Sequence, residues 1–175
     1  VEQLKEAVEA PLTLALIPNA AEIYADKLPA GAPNDSQAEV IRRAEEAGLS
    51  TAPLLQTLRA HREEEIFYRT DHHWTTLGAY YGYTALCEPL GLTGRPLESF
   101  APETVSRDFY GTAYSSSGYT WVEADSIERY VSADAAASVV SYRGGTPTEG
   151  TLYREESLSK KDQYTYFLGG NTPEI

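Results

Sequence analysis

The chain has 175 residues, 42% hydrophobic and 23% charged, the balance of a folded globular protein rather than a disordered one. Fourteen basic against twenty-six acidic side chains leave a net charge of −12, a field that repels phosphate backbones and anionic lipid. The longest mainly apolar run, Pro11 to Pro18, falls far short of the roughly 20 residues of a membrane span, and one cysteine, Cys87, excludes an internal disulfide or a thiolate zinc cluster.

Leu12-Thr13-Leu14-Ala15-Leu16-Ile17, closed by Pro18-Asn19, reads as a buried strand of a parallel sheet. A loop with Pro29, Gly31 and Pro33 follows. Ser36-Gln37-Ala38-Glu39 then has the form of a capping box, opening a helix that carries Val40, Ile41, Ala44 and Ala47 until Gly48 stops it. Pro53 starts a second helix with Leu54, Leu55 and Leu58 at helical spacing. Glu63-Glu64-Glu65 is a solvated bend, Ile66-Phe67-Tyr68 a second strand, and Thr76 to Cys87 a third helix. This alternation predicts an α/β fold. After Pro89 the composition turns to Gly, Pro, Ser and Tyr, with strands expected at Ile127–Val131, Val139–Tyr142 and Tyr164–Leu168 and a short helix within Leu152–Lys161. The expected organisation is one domain: an α/β part over 1–88, a loop-rich insertion over 89–163, and a return strand and turn over 164–175. A natural start would leave a methionine and there is none, so the chain reads as an internal fragment from which any signal or anchor has been removed.

The chemistry concentrates in Tyr68-Arg69-Thr70-Asp71-His72-His73-Trp74-Thr75-Thr76-Leu77-Gly78, between an expected strand and an expected helix. Open α/β sheets place their sites at such strand ends. A carboxylate two residues before an imidazole can accept its Nδ1–H, which fixes the tautomer and leaves Nε2 to take a proton from a nucleophile. That spacing nominates Asp71 as orienter and His73 as base. Two other readings stay open: a structural turn, with His72 capping backbone groups and Trp74 packed beneath it, and a metal site. Metal ligation by Asp71, His72 and His73 is expected to be awkward, because adjacent side chains of an extended segment point to opposite faces. His61, on the preceding helix, reads as solvated.

The stretch Tyr68 to Thr75, followed by Gly78-Ala79-Tyr80-Tyr81, closely resembles the signature of the DHHW family of bacterial extracytoplasmic proteins. Asp35 to Trp74, Asp108-Phe109-Tyr110-Gly111-Thr112, Trp121 and Phe167-Leu168-Gly169-Gly170-Asn171 resemble that family in the same order. The family is similar in turn to the alginate O-acetylation proteins. The resemblance implies an SGNH-hydrolase-like α/β/α sandwich with a parallel central sheet, incomplete in this fragment. It implies a Ser-His-Asp triad for which Asp71-His72-His73-Trp74 supplies the Asp-x-His-Trp element. Asp71 and His73 are thus the candidate catalytic residues, with Thr70, His72 and Trp74 in support. No Asp-Ser-Tyr or Asp-Ser-Phe block occurs. Asp35-Ser36 opens a helix and Asp125-Ser126 approaches a strand, so the resemblance places the serine outside the chain and implies that the fragment alone is inactive.

Gly170 and Asn171 could offer an oxyanion two amides, as a glycine and an asparagine do in SGNH enzymes, although a plain turn explains them more simply. Tyr110 could line the cleft, on resemblance alone. Ser115-Ser116-Ser117-Gly118 reads as a polar turn, Asn19 has no assigned role, and Cys87 reads as a small buried hydrophobe. Manganese phosphoesterases with Asp-His-His also need Asp-x-Asp motifs upstream, and palmitoyltransferases need a cysteine where Trp74 stands; neither fits. The expected function is acetyl transfer or ester hydrolysis on a cell-surface glycan by an extracytoplasmic protein, with no cofactor and no metal. Glycan or an acylated small molecule is the expected partner, nucleic acid is not, and a membrane anchor outside the fragment and a homodimer through an open sheet edge are compatible with it. Two alternatives belong to other classes. One is a non-catalytic glycan-binding module, suggested by the thirteen tyrosines and the missing serine; the other is a metal-dependent hydrolase.

Overall fold

In the computed structural model, which describes residues 2–8, 10–132 and 138–170, the chain divides into two units. The first comprises Val1–Tyr68 and His72–Leu97, the second Arg69–Asp71 and Glu98–Ile175.

The first unit is α/β. Helix α1 (Glu2–Ala7) precedes strand β1 (Thr13–Leu14), which lies parallel to β2 (Ser50–Thr51). Ala52 N–H donates to Leu14 O at 2.8 Å and prolongs this short ladder. The crossover between the strands carries α2 (Ala20–Ile23), a 3₁₀ turn at Ala25–Lys27 and α3 (Gln37–Glu46). Asn19 is the N-cap of α2, accepting Glu22 N–H at 3.0 Å, and Ser36 caps α3, accepting Glu39 N–H at 3.2 Å. Only half of the capping box forms, because the Glu39 carboxylate turns to Arg42 and Arg43 instead. Helices α4 (Leu54–Ala60) and α5 (Thr76–Cys87) follow, the latter capped by Thr75, whose side chain accepts Gly78 N–H.

These helices close a core of Ile23, Ile41, Leu55, Leu58, Ile66 and Phe67. Trp74 packs against this cluster and against a second one of Ala52, Leu54 and Ala85, joining the two. Full burial of a leucine or isoleucine such as Leu54, Leu58 or Ile66 contributes about 1.5–3 kcal/mol each. Ile66–Tyr68, expected as a second strand, is not part of the parallel sheet. Its residues are buried, and Phe67 makes a single antiparallel bridge to Trp74. Tyr68 N–H donates to His73 O at 3.2 Å, and Thr75 N–H donates to Ile66 O at 3.0 Å. The apolar run therefore serves the helical core, and its backbone closes a narrow loop rather than a sheet.

In the second unit, β3 (Phe100–Phe109) pairs antiparallel with β4 (Asp125–Ser132), from Phe100 opposite Ser132 to Phe109 opposite Asp125. Helix α6 (Thr112–Ser117) lies between them in sequence. A hairpin of β5 (Val139–Arg143) and β6 (Thr146–Gly150) turns at Gly144 and Gly145, with φ of 57° and 79°. Both values suit the left-handed positions of a tight hairpin turn. The expected helix within Leu152–Lys161 is a 3₁₀ segment, Glu155–Ser159. The expected strand Tyr164–Leu168 is instead 3₁₀ helix over Gln163–Tyr166, followed by one bridge between Phe167 and Tyr153. Its apolar residues pack as rings: Tyr166 is buried and stacks on Tyr153 at 5.2 Å. Arg129 ties this ring cluster to β3 and β4, donating to Glu103, Glu155 and the Tyr166 hydroxyl.

Candidate active site

Asp71 is buried, and its carboxylate is held by the segment that follows β3. Its Oδ2 accepts Thr112 N–H at 2.8 Å and Thr112 Oγ1–H at 3.0 Å. The helix start that meets this carboxylate is that of α6, since Thr112 is its first residue. Gly111 permits the approach: a Cβ there would lie 2.3 Å from both Cβ and Oδ2 of Asp71. No side chain larger than hydrogen fits without displacing one of the two backbones.

Thr70, one residue earlier, is buried and is the hub of the segment. Its hydroxyl donates to Asp125 Oδ2 at 2.6 Å and accepts Gly111 N–H at 3.2 Å, while its carbonyl accepts Tyr114 N–H at 3.0 Å. Asp125 Oδ2 also accepts Thr70 N–H at 2.7 Å, and Oδ1 accepts Arg69 N–H and Nε–H, each at 3.2 Å. Asp125, read from sequence as the approach to a strand, is therefore the anchor of Arg69 and Thr70. Four residues that shape the Asp71 site were not nominated by their chemistry: Gly111, Thr112, Asp125 and Tyr164. Gly111 and Thr112 were signalled only by resemblance.

Burial, and then the charge of Asp71, push the Tyr164 phenol up to about 12. Tyr110 stands with Asp71 on a cavity of about 300 Å³ that Gly111, Thr112, Ser115 and Lys161 also line. Tyr110 further packs on Tyr114, ring centres 4.4 Å apart.

His72 is exposed and His73 half-buried, with ring centres 3.9 Å apart. The donor atoms of Asp71, His72 and His73 lie within 4.8 Å of one another, close enough to hold a divalent cation. The expectation that neighbouring side chains would diverge fails because the segment is bent, not extended. Trp74 sits in the apolar core described above. The Gly170 N–H donates to Phe167 O at 3.2 Å with φ of 90°, which is turn geometry and occupies the amide offered for an oxyanion. Asn171 lies outside the described residues. Ser115, Ser116 and Ser117 belong to α6 rather than to a turn, and their hydroxyls donate to the carbonyls of Gly111, Thr112 and Tyr114. His61 is less solvated than expected: it stacks on Tyr81 at 3.6 Å, and its Nδ1 lies 2.6 Å from Glu64 Oε1. Cys87 is buried.

The short parallel β-α-β element with helices packed on it is consistent with an SGNH-hydrolase-like α/β fold, and the sheets among the described residues are small, two strands each. The chain belongs to the family described as SGNH hydrolase-like domain, acetyltransferase AlgX, whose model matches residues 2–150. It is similar to a DHHW family protein from Eubacterium siraeum, with 25% identity and a TM-score of 0.81 over 97% of this chain and 59% of that one. It is similar in fold to the O-acetyltransferase domain of Pseudomonas putida AlgJ, with 23% identity and a TM-score of 0.56 over 76% and 53%. Bacillus cereus PatB1, solved with a sulfonyl adduct, shares the fold at 17% identity, with a TM-score of 0.75 over 98% and 61%. The chain thus spans 59% of the length of the Eubacterium siraeum protein. No curated protein matches the sequence significantly.

Proposed function

We propose that this chain supplies the acid and base of an acyl-transfer site that moves an acetyl group on a glycan outside the cytoplasm. The observation that carries the reading is the buried, hydrogen-bonded Asp71 two residues before His73, in a chain of the SGNH acetyltransferase family. Asp71 accepts Nδ1–H of His73 and sets the tautomer, so that Nε2 is the proton acceptor. A serine from outside this chain attacks the acetyl carbonyl and passes its proton to Nε2. Collapse of the tetrahedral adduct breaks the ester bond, and the leaving oxygen takes the proton back from His73. The acetyl-serine then reacts with a glycan hydroxyl or with water, whose proton His73 accepts and returns to the serine oxygen.

A net charge of −12 favours a neutral acceptor over a polyanionic one. The test is hydrolysis of an acetyl ester by the intact protein that carries this chain. His73→Ala is expected to lower kcat by about 10²- to 10⁴-fold, the usual loss with a general base. Unchanged hydrolysis in that variant overturns the assignment.

A further inference from the structure

We propose that Asp125 is a positioning residue of this site, acting on Asp71 through Thr70; the inference rests on the role given to Asp71 above. Asp125 is 7% exposed, and its carboxylate takes four donors, two on each oxygen. Arg69 N–H and Nε–H reach Oδ1, and Thr70 N–H and Oγ1–H reach Oδ2. This pattern asks for a carboxylate specifically. An asparagine amide, in either orientation, would turn its NH₂ group toward the backbone N–H of Arg69 or of Thr70 and deprive it of its acceptor, a costly arrangement in a buried site.

The bonds form a continuous path to the reacting group. Asp125 fixes the Thr70 hydroxyl, which can then accept Gly111 N–H, and the Thr70 carbonyl takes Tyr114 N–H. Gly111 and Tyr114 bracket Thr112, the residue whose N–H and hydroxyl hold Asp71 Oδ2. Asp71 is thus set from both sides, by the backbone of Thr70 that precedes it and by Thr112 across from it. Arg69 shows that the anchor exceeds what an ion pair requires. Its guanidinium is largely exposed and also donates to Ala124 O at 3.1 Å, yet the Arg69 backbone N–H still goes to Asp125. The carboxylate therefore secures main chain at two consecutive residues, immediately before the one whose placement matters.

The experiment is a double-mutant cycle on the intact protein, read as kcat and KM for p-nitrophenyl acetate, with Asp125→Asn, Asp71→Asn and the double variant. Asp125→Asn is expected to lower kcat by about 10- to 100-fold, the usual range for a residue that orients another, with KM little changed. The double variant is expected to be no slower than Asp71→Asn alone, because Asp125 has nothing left to position. Asp125→Glu, which keeps the carboxylate, is expected to recover part of the loss. Should Asp125→Asn fail to fold, Thr70→Val replaces it in the same cycle, since it removes the hydroxyl link at nearly constant volume. Multiplying effects of the two sites, or full kcat in Asp125→Asn or Thr70→Val beside an inactive Asp71→Asn, would overturn this inference alone. Full activity in Asp71→Asn would overturn both this inference and the function proposed above.

Discussion

Asp71 carries a charge in a buried place, and the residues around it divide the task of keeping it there. Thr112 supplies two donors to one oxygen, and Gly111 supplies the room. Tyr164 feels the result: burial first, and the Asp71 carboxylate second, oppose formation of its phenolate and move it from 10.0 to about 12. The folded protein therefore keeps this proton after the unfolded chain has lost it. The contribution of Tyr164 to stability is present below pH 10 and is lost as pH rises from there toward about 12. Asp71→Asn removes one of the two causes and is expected to let Tyr164 ionise at a lower pH, while burial keeps it above the ordinary value. A pH titration of the Tyr164 ring signals by NMR checks this, and an unmoved titration would show that the two groups do not interact.

Helix α5 sets two physical preferences against each other. Alanine is a better helix former than glycine by about 1 kcal/mol, yet α5 holds Gly78 and Gly82 in its interior. Packing decides the matter. A Cβ at position 82 would lie 2.7 Å from the Trp74 ring, and one at position 78 would lie 2.2 Å from Ile66 O. Gly82→Ala is therefore expected to destabilise the fold by about 1–3 kcal/mol, the cost of overpacking, despite the propensity gain. A shifted urea midpoint with an unchanged slope is the corresponding measurement. Helices α3, α4 and α5 were legible because each announces itself locally, with Ser36, Pro53 or Thr75 at the start and apolar residues after it, whereas α1, α2 and α6, four to six residues long, were not. Strands were less legible. β2 is two residues long and polar, and β3 contains Pro102 and no regular alternation of apolar and polar side chains, so its existence depends on its partner β4. β6 did leave a sign, Gly144-Gly145 before Thr146, in the position of a hairpin turn. The same locality explains the site. Asp71 and His73 could be nominated from their spacing, whereas Asp125 bonds to Thr70 from 55 residues away and carries no motif of its own.

At the scale of the whole molecule, the chain has an α/β unit, a β-rich unit and a net charge of −12, and the SGNH hydrolase-like family model runs through both units over residues 2–150. Among the described residues no helix is long and apolar enough to cross a membrane. The chain covers 59% of one relative's length and 61% of another's, and the function proposed above takes its serine from outside the chain. Acyl transfer at this site requires that His73 activate such a serine. The most direct measurement is the rate at which a sulfonyl fluoride labels the intact protein, followed by intact mass and by mapping of the modified residue. One adduct on a serine is expected, formed about 10²- to 10⁴-fold more slowly in His73→Ala, since the serine then has no base to take its proton. Labelling at the same rate in both proteins, or no serine adduct in either, would contradict the account and turn attention to a glycan-binding role for this scaffold.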